Sequence, residues 1–288
     1  MSESNNMLRL AMIQMAVTEN KRKNIETAQT MLRQAADRGA QMAVLPEMFC
    51  CPYHTKSFPV YAEPEGGNTW QVMSDAAREN GLYLVAGSMP ETDQGRCYNT
   101  SYVFGPDGKQ IGKHRKMHLF DIDIEGGQYF QESDTLTPGE QVTVFDTPFG
   151  KMGVAICYDF RFPELARLMV LDGARILIVP AAFNMTTGPR HWQLMFRSRA
   201  VDNQAFTIGV APARNPRASY VSYAHSIAVS PWGHVLKQMD INPGMEIVEL
   251  NLRDVIEIRA QLPLLKHRRT DLYQLKCRAN VRSKSKKE

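Results

Sequence analysis

A chain of 288 residues is long enough to bury one sizeable core and does not demand two domains. Its 43% hydrophobic and 22% charged residues exclude a disordered chain, and no apolar run nears the ~20 residues that a membrane-spanning helix needs. The net charge of +4 is a terminal feature: six basic residues against one acid between Lys276 and Glu288 give that tail +5 and leave the body at −1, so no nucleic-acid or membrane partner is expected. The polar, acidic start Met1-Ser2-Glu3-Ser4 has neither the charge nor the apolar stretch of a secretory signal, so a cytoplasmic address is expected. Five cysteines, an odd number with no C-x-x-C pair, read as reduced thiols, one of them a candidate for reactivity.

In chain order, Leu8 to Val17 reads as a strand, Asn24 to Gly39 as a helix and Met42 to Leu45 as a strand. Trp70 to Asn80 is helical and Leu82 to Ser88 a further apolar run. Tyr98 to Phe104 and Lys109 to Gly112, joined by Pro106-Asp107-Gly108, form a hairpin, and Thr143 to Asp146 with Met152 to Ile156 repeat that pattern. A helix over Pro163 to Leu171 starts on proline. The strand Ile176 to Val179, the helix His191 to Asn203 and the strand Phe206 to Val210 follow, and Ser226 to Val229 and Glu246 to Leu250 close the series. Strands alternating with helices, plus hairpins, predict one α/β domain with mixed sheets over residues 1–275 and a basic, disordered tail over 276–288.

Three segments carry chemistry. In Gly153-Val154-Ala155-Ile156-Cys157-Tyr158-Asp159-Phe160-Arg161-Phe162-Pro163-Glu164 an apolar strand runs into a thiol and proline opens a helix six residues on. A nucleophile on such a strand-to-helix turn is presented at the sheet edge, with backbone N–H groups available to an oxyanion and a helix end favouring a thiolate. In Val44-Leu45-Pro46-Glu47 a carboxylate follows an apolar strand, where burial can raise its pKa toward general-base range. In Lys113-His114-Arg115-Lys116-Met117-His118, Lys116 is a cation able to stabilise an oxyanion and depress a nearby thiol pKa. His114 and His118 are spaced i, i+4, but the H-E-x-x-H glutamate and a nearby third histidine are missing, so neither a metal nor another cofactor is expected.

Taken together and in this order, these segments resemble the nitrilase superfamily of carbon–nitrogen hydrolases over roughly Leu8 to Tyr273. The resemblance implies a four-layer αββα sandwich, two mixed sheets between helix layers, that assembles as a homodimer or a higher homo-oligomer. It places the family's Glu–Lys–Cys triad on Glu47, Lys116 and Cys157. The family's second glutamate falls on Glu132 of Tyr129-Phe130-Gln131-Glu132-Ser133.

Within the superfamily, His118-Leu119-Phe120-Asp121-Ile122-Asp123, Ala182-Phe183-Asn184-Met185-Thr186-Thr187-Gly188-Pro189, Arg199-Ala200-Val201-Asp202-Asn203-Gln204 and Ala224-His225-Ser226 are similar to the ω-amidase branch. That branch hydrolyses the terminal amide of α-ketoglutaramate and α-ketosuccinamate. Phe160, where the branch has methionine, and the loop Ile124-Glu125-Gly126-Gly127 depart from its pattern.

The implied chemistry is acyl transfer. Glu47 takes the thiol proton, Cys157 attacks a small-molecule amide, and Lys116 with the Tyr158 backbone N–H holds the oxyanion. Glu132 is expected to position the substrate amide or the attacking water. Arg161 is the candidate for binding a substrate carboxylate, with Phe183 as pocket wall and Thr187 as polar contact. The rival readings are an amidase for deaminated glutathione or for N-carbamoyl compounds, and a non-catalytic binding module on the same fold.

Overall fold

The computed structural model describes residues 6–125 and 129–277. The basic tail from residue 278 onward and Gly126-Gly127 lie outside the described residues. The first half of the chain runs β1 (Met7–Gln14), α1 (Lys21–Asp37), β2 (Met42–Val44), α2 (Phe58–Tyr61), α3 (Asn68–Asn80), β3 (Tyr83–Val85), β4 (Met89–Asp93), β5 (Arg96–Phe104), β6 (Gln110–Arg115), β7 (Asp121–Asp123) and β8 (Tyr129–Gln131). The second half runs β9 (Thr143–Phe145), β10 (Met152–Val154), α4 (Pro163–Leu171), β11 (Ile176–Pro180), α5 (Gly188–Asn203), β12 (Phe206–Val210), β13 (Ile227–Val229), β14 (Val235–Gln238), β15 (Gly244–Asn251) and α6 (Arg253–Gln261).

Two mixed sheets result. One has the order β15-β1-β2-β3-β5-β4 with β6 against the other side of β5, and the second has the order β14-β13-β12-β11-β10-β9. β7 and β8 make a separate small hairpin. Because strand side chains alternate between faces, the sequence of each central strand sorts itself into two cores. Leu8, Leu10 and Met12 of β1 join Met42 and Val44 of β2, and they meet Ile176, Ile178, Phe206, Ile208 and Val210 of the opposite sheet. The intervening residues Ala11, Ile13, Ala43 and Leu45 pack instead against Ile25, Ala28, Leu32, Met73 and Ala77 of α1 and α3. On the far side Leu177 and Val179 face Leu165, Met169, Trp192 and Phe196 of α4 and α5. Three stacked cores between four layers are the αββα sandwich expected above. Each fully buried Leu, Ile or Phe contributes roughly 1.5–3 kcal/mol.

The strongly patterned elements appear where the sequence places them. β4, β7, β8, β14, α2 and α6 do not follow from pattern. β4 reads Met-Pro-Glu-Thr-Asp, and its proline and charges are tolerable because it ends the sheet path, where a missing N–H costs no ladder bond. α6 buries only Val255, so it shows almost no apolar stripe.

Candidate active site

Each candidate side chain stands just beyond a strand end. β2 lies parallel between β1 and β3, and three residues past its end Glu47 is fully buried. The backbone turns there: Met48 takes φ +51°, its N–H donates to Ser88 Oγ at 3.0 Å, and the Phe49 N–H donates to the Ser88 carbonyl at 3.1 Å. Gly87 at φ +54° permits this approach, since a Cβ there would stand 2.1 Å from the Pro46 carbonyl oxygen. Lys116 follows β6, its N–H donating to the Asn99 carbonyl and its own carbonyl accepting from Gly139. Here too only glycine fits, because a Cβ on Gly139 would meet the Arg115 carbonyl oxygen at 2.2 Å. Glu132 opens the 3-10 turn Glu132–Asp134 after β8. Cys157 opens the 3-10 turn Cys157–Arg161 that links β10 to α4, and it takes the left-handed value φ +46°. Residues rarely hold that conformation unless the surroundings force it.

These four residues, spread over 110 positions of sequence, converge. The Lys116 ammonium donates to Glu47 Oε1 and to Glu132 Oε1, both at 2.9 Å, and its nitrogen lies 2.8 Å from Glu132 Oε2 in the same ion pair. Glu132 Oε1 also accepts from the Tyr53 hydroxyl at 2.6 Å, and Oε2 from the Phe120 N–H at 2.8 Å. Glu47 Oε1 accepts in addition from Asn99 Nδ2 at 2.9 Å, whereas the buried Glu47 Oε2 has no hydrogen-bond partner. The two carboxylates are therefore unlike. Glu132 is saturated with donors, and Glu47 keeps one oxygen free. Glu132, expected to face the substrate amide or water, has both its oxygens engaged within the protein.

Ionisation follows from this packing. Burial raises the Glu47 pKa, Lys116 opposes the rise and Glu132 reinforces it. Burial works against the Lys116 ammonium, but Glu132 and Glu47 outweigh it and raise its pKa, so the cation is fixed. Burial, then Glu47, pushes the Cys157 thiol well above its usual range, with Lys116 and the Ala182 backbone only partly opposing. The expectation of a thiolate depressed by Lys116 and the helix end is thus corrected. At rest the group is a neutral thiol, because burying it among two carboxylates costs more than one ammonium returns.

Sequence reading missed three residues at the centre. Asn99 and Tyr53 supply the donors just described. Asp159, fully buried, ties the lysine segment to the cysteine turn. Its Oδ1 accepts from the N–H of Met117 (3.1 Å), the N–H of His118 (2.8 Å) and His118 Nδ1 (2.7 Å), and its Oδ2 contacts His114 Nε2 (3.0 Å) and accepts from the Ile156 N–H (3.1 Å). Burial opposes the Asp159 charge, but these bonds hold its pKa below the usual carboxylate range. The i, i+4 histidines thus serve a carboxylate, and among the described residues no group of three His, Cys, Asp or Glu side chains is arranged to hold a metal ion. The available signal was position: an aspartate two residues after a strand-ending cysteine can cap the turn it starts.

Phe120, Phe130, Tyr158, Tyr220 and Tyr53 pack on one another as an aromatic cluster that includes the neighbour of Cys157 in sequence and the Tyr53 that bonds both glutamates. The Tyr158 N–H belongs to the first residues of its 3-10 turn, which have no acceptor inside the turn. The Arg161 guanidinium lies over the Phe183 ring at 4.7 Å from its centroid and donates to His191 Nδ1 at 3.1 Å. Burial and the Arg161 charge lower the His191 pKa, so the ring stays neutral and can accept. Arg161 forms no ion pair among the described residues. Phe183 is buried beneath it, and the Thr187 hydroxyl donates to Asn184 Oδ1 at 2.8 Å. A cavity of about 830 Å³ reaches Glu47, Tyr53, Ala182 and Tyr220 from a mouth at Lys23 and Arg217. Cys157, Arg161, Phe183 and Thr187 do not line it.

Residues 9–260 match the sequence model of the carbon-nitrogen hydrolase family. An ω-amidase NIT2 of Mus musculus is 49% identical over 265 residues, covering 92% of this chain and 96% of its own, and ω-amidase NIT2-B of Xenopus laevis is 47% identical over 272 residues, covering 94% and 99%. Among solved structures, Nit3 of Saccharomyces cerevisiae, a member of branch 10 of the nitrilase superfamily, superposes with a TM-score of 0.85 at 41% identity, covering 92% of this chain and 97% of that one. The chain belongs to the carbon–nitrogen hydrolase family of the nitrilase superfamily and is a hydrolase acting on amides.

Proposed function

We propose that this chain is an ω-amidase: it hydrolyses the terminal amide of a short dicarboxylic acid monoamide such as α-ketoglutaramate to the acid and ammonia, through a thioester on Cys157. The observation that carries the chemistry is Glu47 Oε2, a buried carboxylate oxygen left without a partner while Cys157 and Glu47 perturb each other's ionisation. The thiol proton passes to that oxygen as sulfur attacks the amide carbonyl. The tetrahedral oxyanion is held by Lys116 and the Tyr158 N–H, a kind of donor whose loss typically costs ~10²–10³ in rate. Glu47 then gives its proton to the departing nitrogen, ammonia leaves, and the thioester remains. Water attacks next, losing a proton to Glu47, and the thiol is regenerated with the acid. Glu132 holds the ammonium of Lys116 toward the carbonyl.

Arg161 supports the substrate class. A guanidinium without a carboxylate partner, seated on Phe183 within the electrostatic reach of Tyr220 that Cys157 also occupies, suits the carboxylate end of such a substrate. The names of the NIT2 relatives agree. Ammonia release measured over keto-acid ω-amides, N-carbamoyl compounds, neutral short amides and nitriles tests the reading. The highest kcat/KM is expected on the keto-acid ω-amide, and a carbamoyl preference, seen as CO₂ released with ammonia, would overturn it.

The same reading carries a cytoplasmic homodimer or higher homo-oligomer. The five free thiols suit a reducing compartment, and Leu194, Trp232 and Val201, 62%, 51% and 43% exposed, offer an apolar face for association. No helix among the described residues is long and apolar enough to cross a membrane.

A further inference from the structure

Two glutamates share one lysine, so something must decide which of them is the base. Lys116 does not decide it, since it sits 2.9 Å from Glu47 Oε1 and 2.8–2.9 Å from Glu132. Tyr53 is different. It stands in the segment between β2 and α2, its ring wedged between Tyr220 (centroids 4.5 Å apart), Phe130 and Phe58 (both 5.6 Å). Its hydroxyl has one proton and two carboxylate oxygens in reach, Glu132 Oε1 at 2.6 Å and Glu47 Oε1 at 3.2 Å. One hydroxyl proton makes one strong bond, and the shorter distance assigns it to Glu132.

We propose that Tyr53 is a positioning residue that occupies Glu132 as a hydrogen-bond acceptor and thereby leaves Glu47, with its open oxygen, as the single proton acceptor for Cys157. Tyr53, Phe120 and Lys116 all donate to Glu132, so both its oxygens are occupied. Glu47 keeps one oxygen free. The groups facing Glu47 are Lys116 from the end of β6, Glu132 from the turn after β8, Cys157 from the turn after β10, Tyr53, Tyr220 and the neutral Asn99 of β5. Of these, Tyr53 is the neutral group that touches both carboxylates, and removing its hydroxyl leaves the cluster's formal charge unchanged while giving up one long contact from the Lys116 ammonium, at 3.4 Å. Burial, followed by the charges of Glu132 and Glu47, raises the Tyr53 pKa, so its proton stays in place throughout the working pH range.

This inference rests on the Glu47–Cys157 assignment but not on the substrate, and its test is chosen accordingly. The rate of Cys157 alkylation by iodoacetamide, followed site by site by mass spectrometry, is measured against pH in the intact protein and in Tyr53→Phe. Phenylalanine keeps the ring stack and removes only the hydroxyl. Losing a donor to a charged acceptor makes the carboxylate pair hold its proton to higher pH, so the acid limb of the Cys157 profile moves up by about 1 pH unit. The high-pH plateau stays within about twofold. Site-specific 3-fluorotyrosine at 53, a stronger donor of nearly the same shape, moves the limb down, and a residue with a purely structural role would not give opposite shifts. An acid limb unmoved in both proteins, or moved in the same direction in both, would overturn the proposal. An unmoved limb with normal turnover of the ω-amide would do so while leaving the function intact. Cys157 that is alkylated no faster than Cys97 at any pH would instead sink the nucleophile assignment itself.

Discussion

Asp159→Asn tests how the site is held. The aspartate accepts at two oxygens with separate duties: Oδ1 serves the N–H groups of Met117 and His118 and His118 Nδ1, and Oδ2 serves the Ile156 N–H and His114. Asparagine can retain the three Oδ1 bonds. Its NH₂ then faces the Ile156 N–H, donor against donor, at full burial. An orphaned buried donor costs about 1–3 kcal/mol, and the bonds that remain lose their charge assistance, bringing the total to about 3–5 kcal/mol. The reverse amide orientation orphans three donors and is worse. Because Ile156 precedes Cys157 and Met117 follows Lys116, the same change lets the two drift apart, and displacements of ~1 Å cost ~10² in rate. Urea unfolding followed by tryptophan fluorescence gives the stability, and ammonia release under native conditions gives kcat and KM. A loss below about 1 kcal/mol with kcat unchanged would refute the view that this carboxylate joins lysine to cysteine.

The other outcomes follow from single contacts. Cys157→Ala should fold with nearly unchanged melting temperature and release no ammonia, and residual turnover by the folded variant would remove the thiol from the mechanism. Arg161→Met should lower kcat/KM on a keto-acid ω-amide by ~1.5–3 kcal/mol and barely change it on an uncharged short amide, whereas equal losses on both would mean that the guanidinium supports the fold. EDTA dialysis should leave activity intact, and zinc-restorable loss would reveal a metal. Stability should depend on pH in two senses: Asp159 and Glu91, both lowered in the fold, contribute fully above about pH 5 and lose this as pH falls below about 4, while Glu47, raised in the fold, gains stability as pH falls from neutral and is protonated. Melting curves of the protein and of Glu47→Gln separate the two, because only the first should gain between neutral pH and pH 5.

Much of the fold was legible because its central strands are short, mostly apolar runs buried on both faces. Ile176 to Val179 is apolar throughout, Phe206 to Val210 breaks its apolar run only with Thr207 and Gly209, and both are found within a residue of the bounds read from sequence. β4 and α6 were not legible, since an edge strand with a proline and an exposed helix follow tertiary opportunity rather than local pattern. Motif reading supplied Glu47, Lys116, Glu132 and Cys157, and the fold brings all four together. It assigned no role to Tyr53, Asn99 or Asp159. Apart from the cap that Asp159 gives its own turn, these residues act by hydrogen bonds to partners 6 to 79 positions away, and no local spacing encodes such a bond. The sign of the Cys157 shift was misread for the same reason. A lysine is visible in a sequence, but the burial that outweighs it is not.

That burial gives the site its logic. Counted as formal charges, two carboxylates, the Lys116 ammonium and a neutral Cys157 thiol give the cluster one net negative charge. Adding a thiolate would make two, uncompensated and cut off from water, which is why the thiol keeps its proton. In the proposed cycle that proton moves to Glu47, and the single excess charge shifts from carboxylate to sulfur. Attack carries it to the substrate oxyanion, and expulsion of ammonia returns it to Glu47. At no step does the total change. The charge only travels past an ammonium that two glutamates hold still, and a fixed cation beside a moving anion needs no reorganisation as the charge moves. Glu132, then, contributes without exchanging a proton: were it to take one, Lys116 would lose its second anchor and the excess charge would vanish from the place where the oxyanion must form.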